Sequence, residues 1–142
     1  MSGPAPDELT AFFTRDHRLI DAALERFDLE AFEALLRRHI GWEEDFLFPA
    51  FERKLEEARA RCASMRIQHE ELKAHVAALR ASLPEGGPRR ANAEAVLLEA
   101  LADHNHAEEL FIYPWMDAVL GLDERRALLA SLGARRGGST DA

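Results

Sequence analysis

The chain of 142 residues lacks features that several protein classes require. It contains a single cysteine, Cys62, so it cannot form an internal disulfide, and the cytoplasm is the expected compartment. No run of 18 or more apolar residues occurs, and the N-terminus lacks the basic and then apolar pattern of a signal peptide, so no membrane insertion is expected. With 18 basic and 26 acidic residues, the net charge of −8 disfavours nucleic acid and anionic membranes as main partners.

Glycine and proline are also scarce within long stretches whose apolar residues recur every three or four positions, which predicts α-helices. Four long helices are expected: Asp7 to about Phe27, Leu29 to between Lys54 and Glu57, a third ending near Leu83, and about Ala91 to Val119. A short fifth helix is expected from Asp123 to Gly133. We therefore assign residues 1–133 to one domain and residues 134–142 to a flexible tail.

Each of the four long helices carries one histidine on its apolar, inward face: His17, His39, His69 and His104. If antiparallel helices hold these histidines at one height, each turn must fall midway between successive histidines. The first midpoint is Asp28, a good N-cap residue, and another falls on Gly86 and Gly87. A further turn is expected near residue 54 or a few residues later. The pattern predicts an all-α, antiparallel up-down four-helix bundle with a short fifth C-terminal helix.

One motif, His-x3-Glu-Glu-x2-aliphatic-aromatic-Pro, occurs twice, and the two copies are offset by 65 residues throughout. It runs from His39 to Pro49 and again from His104 to Pro114. In a helix, residues i and i+4 are neighbours on one face, so each copy presents an imidazole beside a carboxylate. Because Pro49 interrupts the backbone hydrogen bonding of its helix, a kink or break is expected after the turn that carries Glu43.

The inward histidines and glutamates together form a candidate metal site: His17, His39, Glu43, His69, His104 and Glu108. A single inward histidine is usually a hydrogen-bonded core residue, but four at matched heights with two carboxylates favour metal binding. One ion does not need six such side chains. Two ions do, if each takes two imidazoles and both carboxylates bridge, and helical bundles are known to hold such paired sites.

Other polar residues are expected outside this set of ligands. His75 and His106 should point away from the site, because they lie about 240° and 200° around their helices from the inward histidines. Glu44 and Glu109 are one residue off the inward face and should be solvated or should bond to the ligands. Asp21 is a candidate for supporting a ligand or for ligating metal itself.

Six aromatic residues are expected to fill the core: Phe13, Phe46, Phe48, Phe111, Tyr113 and Trp115.

The chain resembles the hemerythrin-like, HHE cation-binding family over about residues 7–120. The likeness rests on Asp16-His17, the two copies of the repeated motif, and Gln68-His69-Glu70. The resemblance implies a four-helix bundle around a non-haem di-iron centre with oxo- or hydroxo-bridged iron ions. It also implies binding of a small ligand such as O2 or NO. The ligands it implies are the same six: His17, His39, Glu43, His69, His104 and Glu108.

The sequence departs from the oxygen carriers of that family, which have His-x3-His on the third helix where this chain has His69 and then Lys73. Three functions remain open: a binding protein for sensing, scavenging or storing O2 or NO, a di-iron enzyme that activates O2 or peroxide or reduces NO, and a metal buffer or iron–sulfur repair protein. Because no separate acid–base pair or substrate pocket is evident in the sequence, binding is favoured over catalysis.

We predict that Lys73→His slows autoxidation of the reduced iron protein and lengthens any oxygenated state. A protonated lysine cannot ligate metal, so one ion should keep an open or water-filled position that an imidazole would occupy. The measurement is the absorption of the reduced protein after O2 is added. If a structure shows the new imidazole on the metal and autoxidation is unchanged, the missing ligand does not limit oxygen carriage.

Overall fold

A computed structural model describes residues 8–140, with side chains described as far as residue 133. This part of the chain is helical and contains no strand, which confirms the all-α class. None of its helices combines the length and apolar character needed to cross a membrane. Its α-helices are α1 (Glu8–Glu25), α2 (Leu29–Trp42), α3 (Phe48–Lys54), α4 (Ala58–Ser82), α5 (Gly87–Ala107), α6 (Tyr113–Val119) and α7 (Leu122–Thr140).

The turns lie where the spacing of the histidines placed them. Between α1 and α2, Phe27 adopts a positive φ of 55°, and the Asp28 side chain accepts a hydrogen bond from the backbone N–H of Ala31 at 3.2 Å. Asp28 is therefore the predicted N-cap. The chain leaves the helical path again directly after Lys54, which confirms the turn expected near residue 54. The proposed cap Asp7 lies outside the described residues.

Two helix boundaries differ from the prediction. Helix α5 begins at Gly87 rather than near Ala91, because Pro88 lies in its first turn, where no backbone N–H is needed. The positive φ of 64° at Gly86 makes the turn that precedes it. The last helix continues through Gly133 to Thr140, so its predicted end at Gly133 is wrong. A glycine costs a helix only about 1 kcal/mol and does not by itself stop it.

The flexibility of residues 134–142 stays a prediction, and residues 141–142 lie outside the described part.

The kink expected at Pro49 takes the form of a π-helical segment, and the second copy of the motif has one too. These segments, Glu43–Leu47 and Glu108–Ile112, join α2 to α3 and α5 to α6. The backbone N–H of Phe48 bonds to the carbonyl of Glu43, and that of Tyr113 bonds to the carbonyl of Glu108. Such widened turns are frequent at functional sites. Both begin at a glutamate of the candidate metal site.

Two apolar clusters lie at opposite ends of the candidate site. The first cluster contains Leu9, Phe13, Trp42, Leu47, Phe48, Phe51, Ala58, Cys62, Met65, Ile112, Tyr113, Met116, Leu120 and Leu132. The second contains Ile20, Ala23, Leu24, Leu29, Phe32, Leu36, Ile40, Leu72, Val76, Leu79, Leu97 and Leu101. The chain forms four long helical paths: α1, α2 with α3, α4, and α5 with α6. Along α1 and α4 the chain passes from the first cluster to the second, and along the other two paths it passes from the second to the first. Along the paths of α1, α4 and α5 the inward histidine lies between residues of the two clusters, and His39 directly precedes Ile40, the last residue of the second cluster on its helix.

Candidate metal centre

The structure brings all six predicted site residues together, and none of them is more than 5 % exposed. They form two overlapping groups whose ligand-type atoms lie within 4.8 Å of one another. The first group is His17, His39, Glu43 and Glu108, and the second is Glu43, His69, His104 and Glu108. Each group holds two imidazoles, and the two carboxylates belong to both.

Each shared carboxylate directs one oxygen to each pair of imidazoles. Oε2 of Glu43 lies 3.2 Å from Nε2 of His39, and its Oε1 lies 2.9 Å from Nε2 of His69. Oε1 of Glu108 lies 3.0 Å from Nε2 of His17, and its Oε2 lies 3.3 Å from Nε2 of His104. This is the arrangement needed for two carboxylates that bridge two ions.

The donor atoms fit metal ions. Ligand atoms about 2.1 Å from a common ion and at right angles to each other are about 3.0 Å apart, close to the distances found here. Nε2 of His104 and Oε2 of Glu108 are buried and have no hydrogen-bond partner, although they face each other at 3.3 Å. Buried polar atoms without partners are rare in proteins, and an ion between these two would satisfy both. Imidazole nitrogen with carboxylate oxygen suits first-row transition metals.

A closed circuit of hydrogen bonds orients the four imidazoles. Nδ1 of His39 donates to Asp16 at 2.8 Å, Nδ1 of His69 to Glu44 at 2.7 Å, Nδ1 of His104 to Gln68 at 2.6 Å, and Nδ1 of His17 to Glu109 at 2.6 Å. Each acceptor is next in sequence to one of the six site residues and holds a histidine on another helix. The protonated Nδ1 leaves Nε2 directed at the centre in every ring.

The buried carboxylates set the protonation of the site. Burial alone would lower the pKa of His39, but the charge of Glu43 and hydrogen bonds with Asp16 and the glutamates raise that pKa well above its usual value. Conversely, burial would raise the pKa of Glu108, yet the charge of the nearby His104 and contacts with the other imidazoles hold that pKa well below its usual value. The raised pKa of His39 favours a proton on this imidazole, which a metal ion must displace.

Sequence reasoning missed the roles of three residues. Asp16 and Gln68 hold imidazoles, and their position directly before an inward histidine was the available signal. Tyr113 was assigned to core filling, but its hydroxyl lies 2.5 Å from Oε2 of Glu43 and 2.8 Å from Oε1 of Glu108. Burial and these two carboxylates raise the pKa of Tyr113 well above its usual value. The signal was the replacement of the phenylalanine of the first copy by tyrosine in the second.

The remaining candidates lie outside both ligand groups. Asp21 is half-buried, and burial raises its pKa, but it does not join the six. His106 is exposed and His75 is partly exposed, as their positions on the helices predicted. Nζ of Lys73 lies at the surface, 3.0 Å from Glu70, so it contributes no ligand, in agreement with the sequence.

In the comparison with protein families, the model described as the Hemerythrin HHE cation binding domain matches residues 8–116, a segment that includes all six site residues. The comparisons with curated proteins and with solved structures gave no significant match.

We predict that metal raises the melting temperature, and raises it more as the pH increases. A ligand that binds only the folded state stabilises it by mass action, and protons on His39 compete with metal at lower pH. The measurement is thermal unfolding with and without Fe(II) under anaerobic conditions at two pH values. His104→Ala should reduce the increase, whereas the exposed control His106→Ala should keep it. Equal melting temperatures of metal-free and metal-loaded wild type would contradict the site.

Proposed function

Since this chain belongs to the hemerythrin HHE cation-binding domain family, we propose that it is a non-haem di-iron protein. In this proposal it binds a small ligand such as O2 or NO for sensing, scavenging or storage. The observation that carries this proposal is the pair of buried carboxylates shared between two pairs of imidazoles. The chemistry that iron supplies when bound is reversible attachment of a diatomic ligand at a redox-active ion.

In this proposal His17 and His39 would hold one ion, and His69 and His104 would hold the other. Glu43 and Glu108 would contribute to both sites, since each directs one oxygen to each pair of imidazoles. Bridged ions are typically about 3.5–4 Å apart. The ionised carboxylates also balance part of the charge of the ions within an apolar environment.

We propose that the four long helical paths form an antiparallel up-down bundle. Two observations support this arrangement. Consecutive paths traverse the two apolar clusters in opposite order, as antiparallel neighbours must. Helix α1 packs against α2 and α6, and α4 packs against α3 and α5, so sequential paths are neighbours. The bundle places the ligands at one level, with apolar layers on both sides that exclude water.

A cavity of about 260 Å³ between α4 and α5 is lined in part by His104 and by Gln68, the residue that bonds to its ring. We propose this cavity as the approach of a small ligand, because one of the six site residues lines it. A second cavity, of about 360 Å³, is lined in part by Glu44 and Lys73 but by none of the six site residues. We also propose a cytoplasmic location, in line with the single cysteine, Cys62, which is buried.

We predict that Glu43→Ala abolishes the dinuclear centre and does not simply remove one ion, because this carboxylate faces both pairs of imidazoles. Iron content should fall from about two per chain, a number that follows from two groups of ligands. The measurement is iron content together with the Mössbauer spectrum. The control is Glu70→Ala, which removes an exposed carboxylate near His69. A coupled di-iron spectrum in Glu43→Ala would rule out bridging by this residue.

The function itself is tested by anaerobic reduction of the iron-loaded protein followed by addition of O2 or NO. A binding protein is expected to form an adduct that persists in the absorption spectrum and is released when the gas is removed. Continuous consumption of O2 or NO with a supplied reductant would instead identify the alternative, a di-iron enzyme. Failure of the reduced protein to react with either gas would contradict both and favour an iron buffer.

A further inference from the structure

The hydroxyl of Tyr113 is surrounded by four potential ligand atoms of one predicted ion. Its oxygen lies 3.1 Å from Nε2 of His17, 3.2 Å from Nε2 of His39, 2.5 Å from Oε2 of Glu43 and 2.8 Å from Oε1 of Glu108. A phenol can donate its proton to one carboxylate and can accept from imidazole N–H groups, but it has no second proton for the other carboxylate. Hydrogen bonding within the protein therefore leaves at least one of the four contacts unexplained.

The distances match those of a ligand that is adjacent to four others around an octahedral ion. Adjacent ligands at about 2.1 Å from such an ion are about 3.0 Å apart. The phenolic oxygen meets this distance roughly for all four atoms. Around the same centre, Nε2 of His17 lies 3.1 Å from Nε2 of His39. The phenol thus lies where a fifth protein ligand of the first ion would be.

The second ion has no equivalent of this phenol. The counterpart of Tyr113 in the first copy of the motif is Phe48, whose ring stacks on His69 with centroids 5.8 Å apart and planes at 14°. It offers no oxygen to the group formed by the two glutamates with His69 and His104. The repeat is therefore symmetric in its imidazoles and carboxylates and asymmetric at this one position.

We propose, on the basis of the di-iron centre proposed above, that Tyr113 is a metal ligand that binds the ion of His17 and His39 through its phenolate oxygen. As the ion binds, the phenolic O–H bond breaks, the proton leaves to solvent, and the oxygen donates to the ion without any change of oxidation state. Phenolate is a hard, anionic oxygen donor, which suits ferric iron. The two ions are consequently unequal, with five protein ligands on one and four on the other.

The fold holds the phenol in place for this role. The ring of Tyr113 is fully buried and stacks on that of Phe13, with centroids 5.1 Å apart and planes at 27°. It follows the second π-helical segment, and its backbone N–H bonds to the carbonyl of Glu108.

Tyr113 is the only tyrosine in the chain, so any tyrosinate signal from purified protein reports on this residue alone. The experiment is resonance Raman spectroscopy of the diferric protein, excited in its visible charge-transfer band. Protein grown with ring-deuterated tyrosine is compared with unlabelled protein. We expect ring modes of an iron-bound phenolate that shift with the label. In Tyr113→Phe we expect these modes and the band to vanish while iron content stays at about two per chain, as the two ligand groups require.

The outcomes separate this inference from the proposed function. Protein that binds two irons but shows no label-sensitive phenolate modes would overturn the role of Tyr113 and leave the di-iron function intact. Protein that binds no iron would overturn the di-iron function and this inference with it. If Tyr113→Phe fails to fold, as judged by circular dichroism, the labelled wild type still decides, because it requires no substitution.

Discussion

Two carboxylates, Glu43 and Glu108, are buried between two apolar clusters, and ionised groups in such a place need positive charge close by. Around them the structure provides four imidazoles, each with Nε2 directed inward. Removing one partner of a buried charged pair typically costs about 3–5 kcal/mol, so the set is stable only as a whole. Metal ions would meet this requirement more completely than protons, since two buried atoms of the site still lack a partner.

The hydrogen-bond circuit connects this electrostatic requirement to the fold. Asp16 on α1 holds His39 on α2, Gln68 on α4 holds His104 on α5, and the second glutamate of each motif copy, Glu44 or Glu109, holds the next imidazole. No long helical path can shift along its axis without breaking a bond to its neighbour. The first π-helical segment begins with two successive glutamates that both bond to His69, Glu43 to its Nε2 and Glu44 to its Nδ1.

Periodicity, repetition and the positions of the turns were enough to predict the all-α class, the helical paths and the group of six. These signals are local, or depend on spacing along the chain, and the cap at Asp28 is an example. The extension of the last helix past Gly133 was not predictable, because a glycine is a weak stop. The role of Tyr113 was also missed. An aromatic ring on an apolar helix face is usually a core residue, and only the fold shows that the Tyr113 hydroxyl contacts atoms from two other helical paths as well as Glu108 on its own.

The central claim is that the two pairs of imidazoles hold separate ions joined by shared carboxylates. Diffraction from crystals of the iron-loaded protein, measured on both sides of the iron absorption edge, tests it most directly. The account predicts two anomalous peaks about 3.5–4 Å apart, one beside His17 and His39 and the other beside His69 and His104. A single peak between the four imidazoles, or iron bound only outside this group, would contradict it.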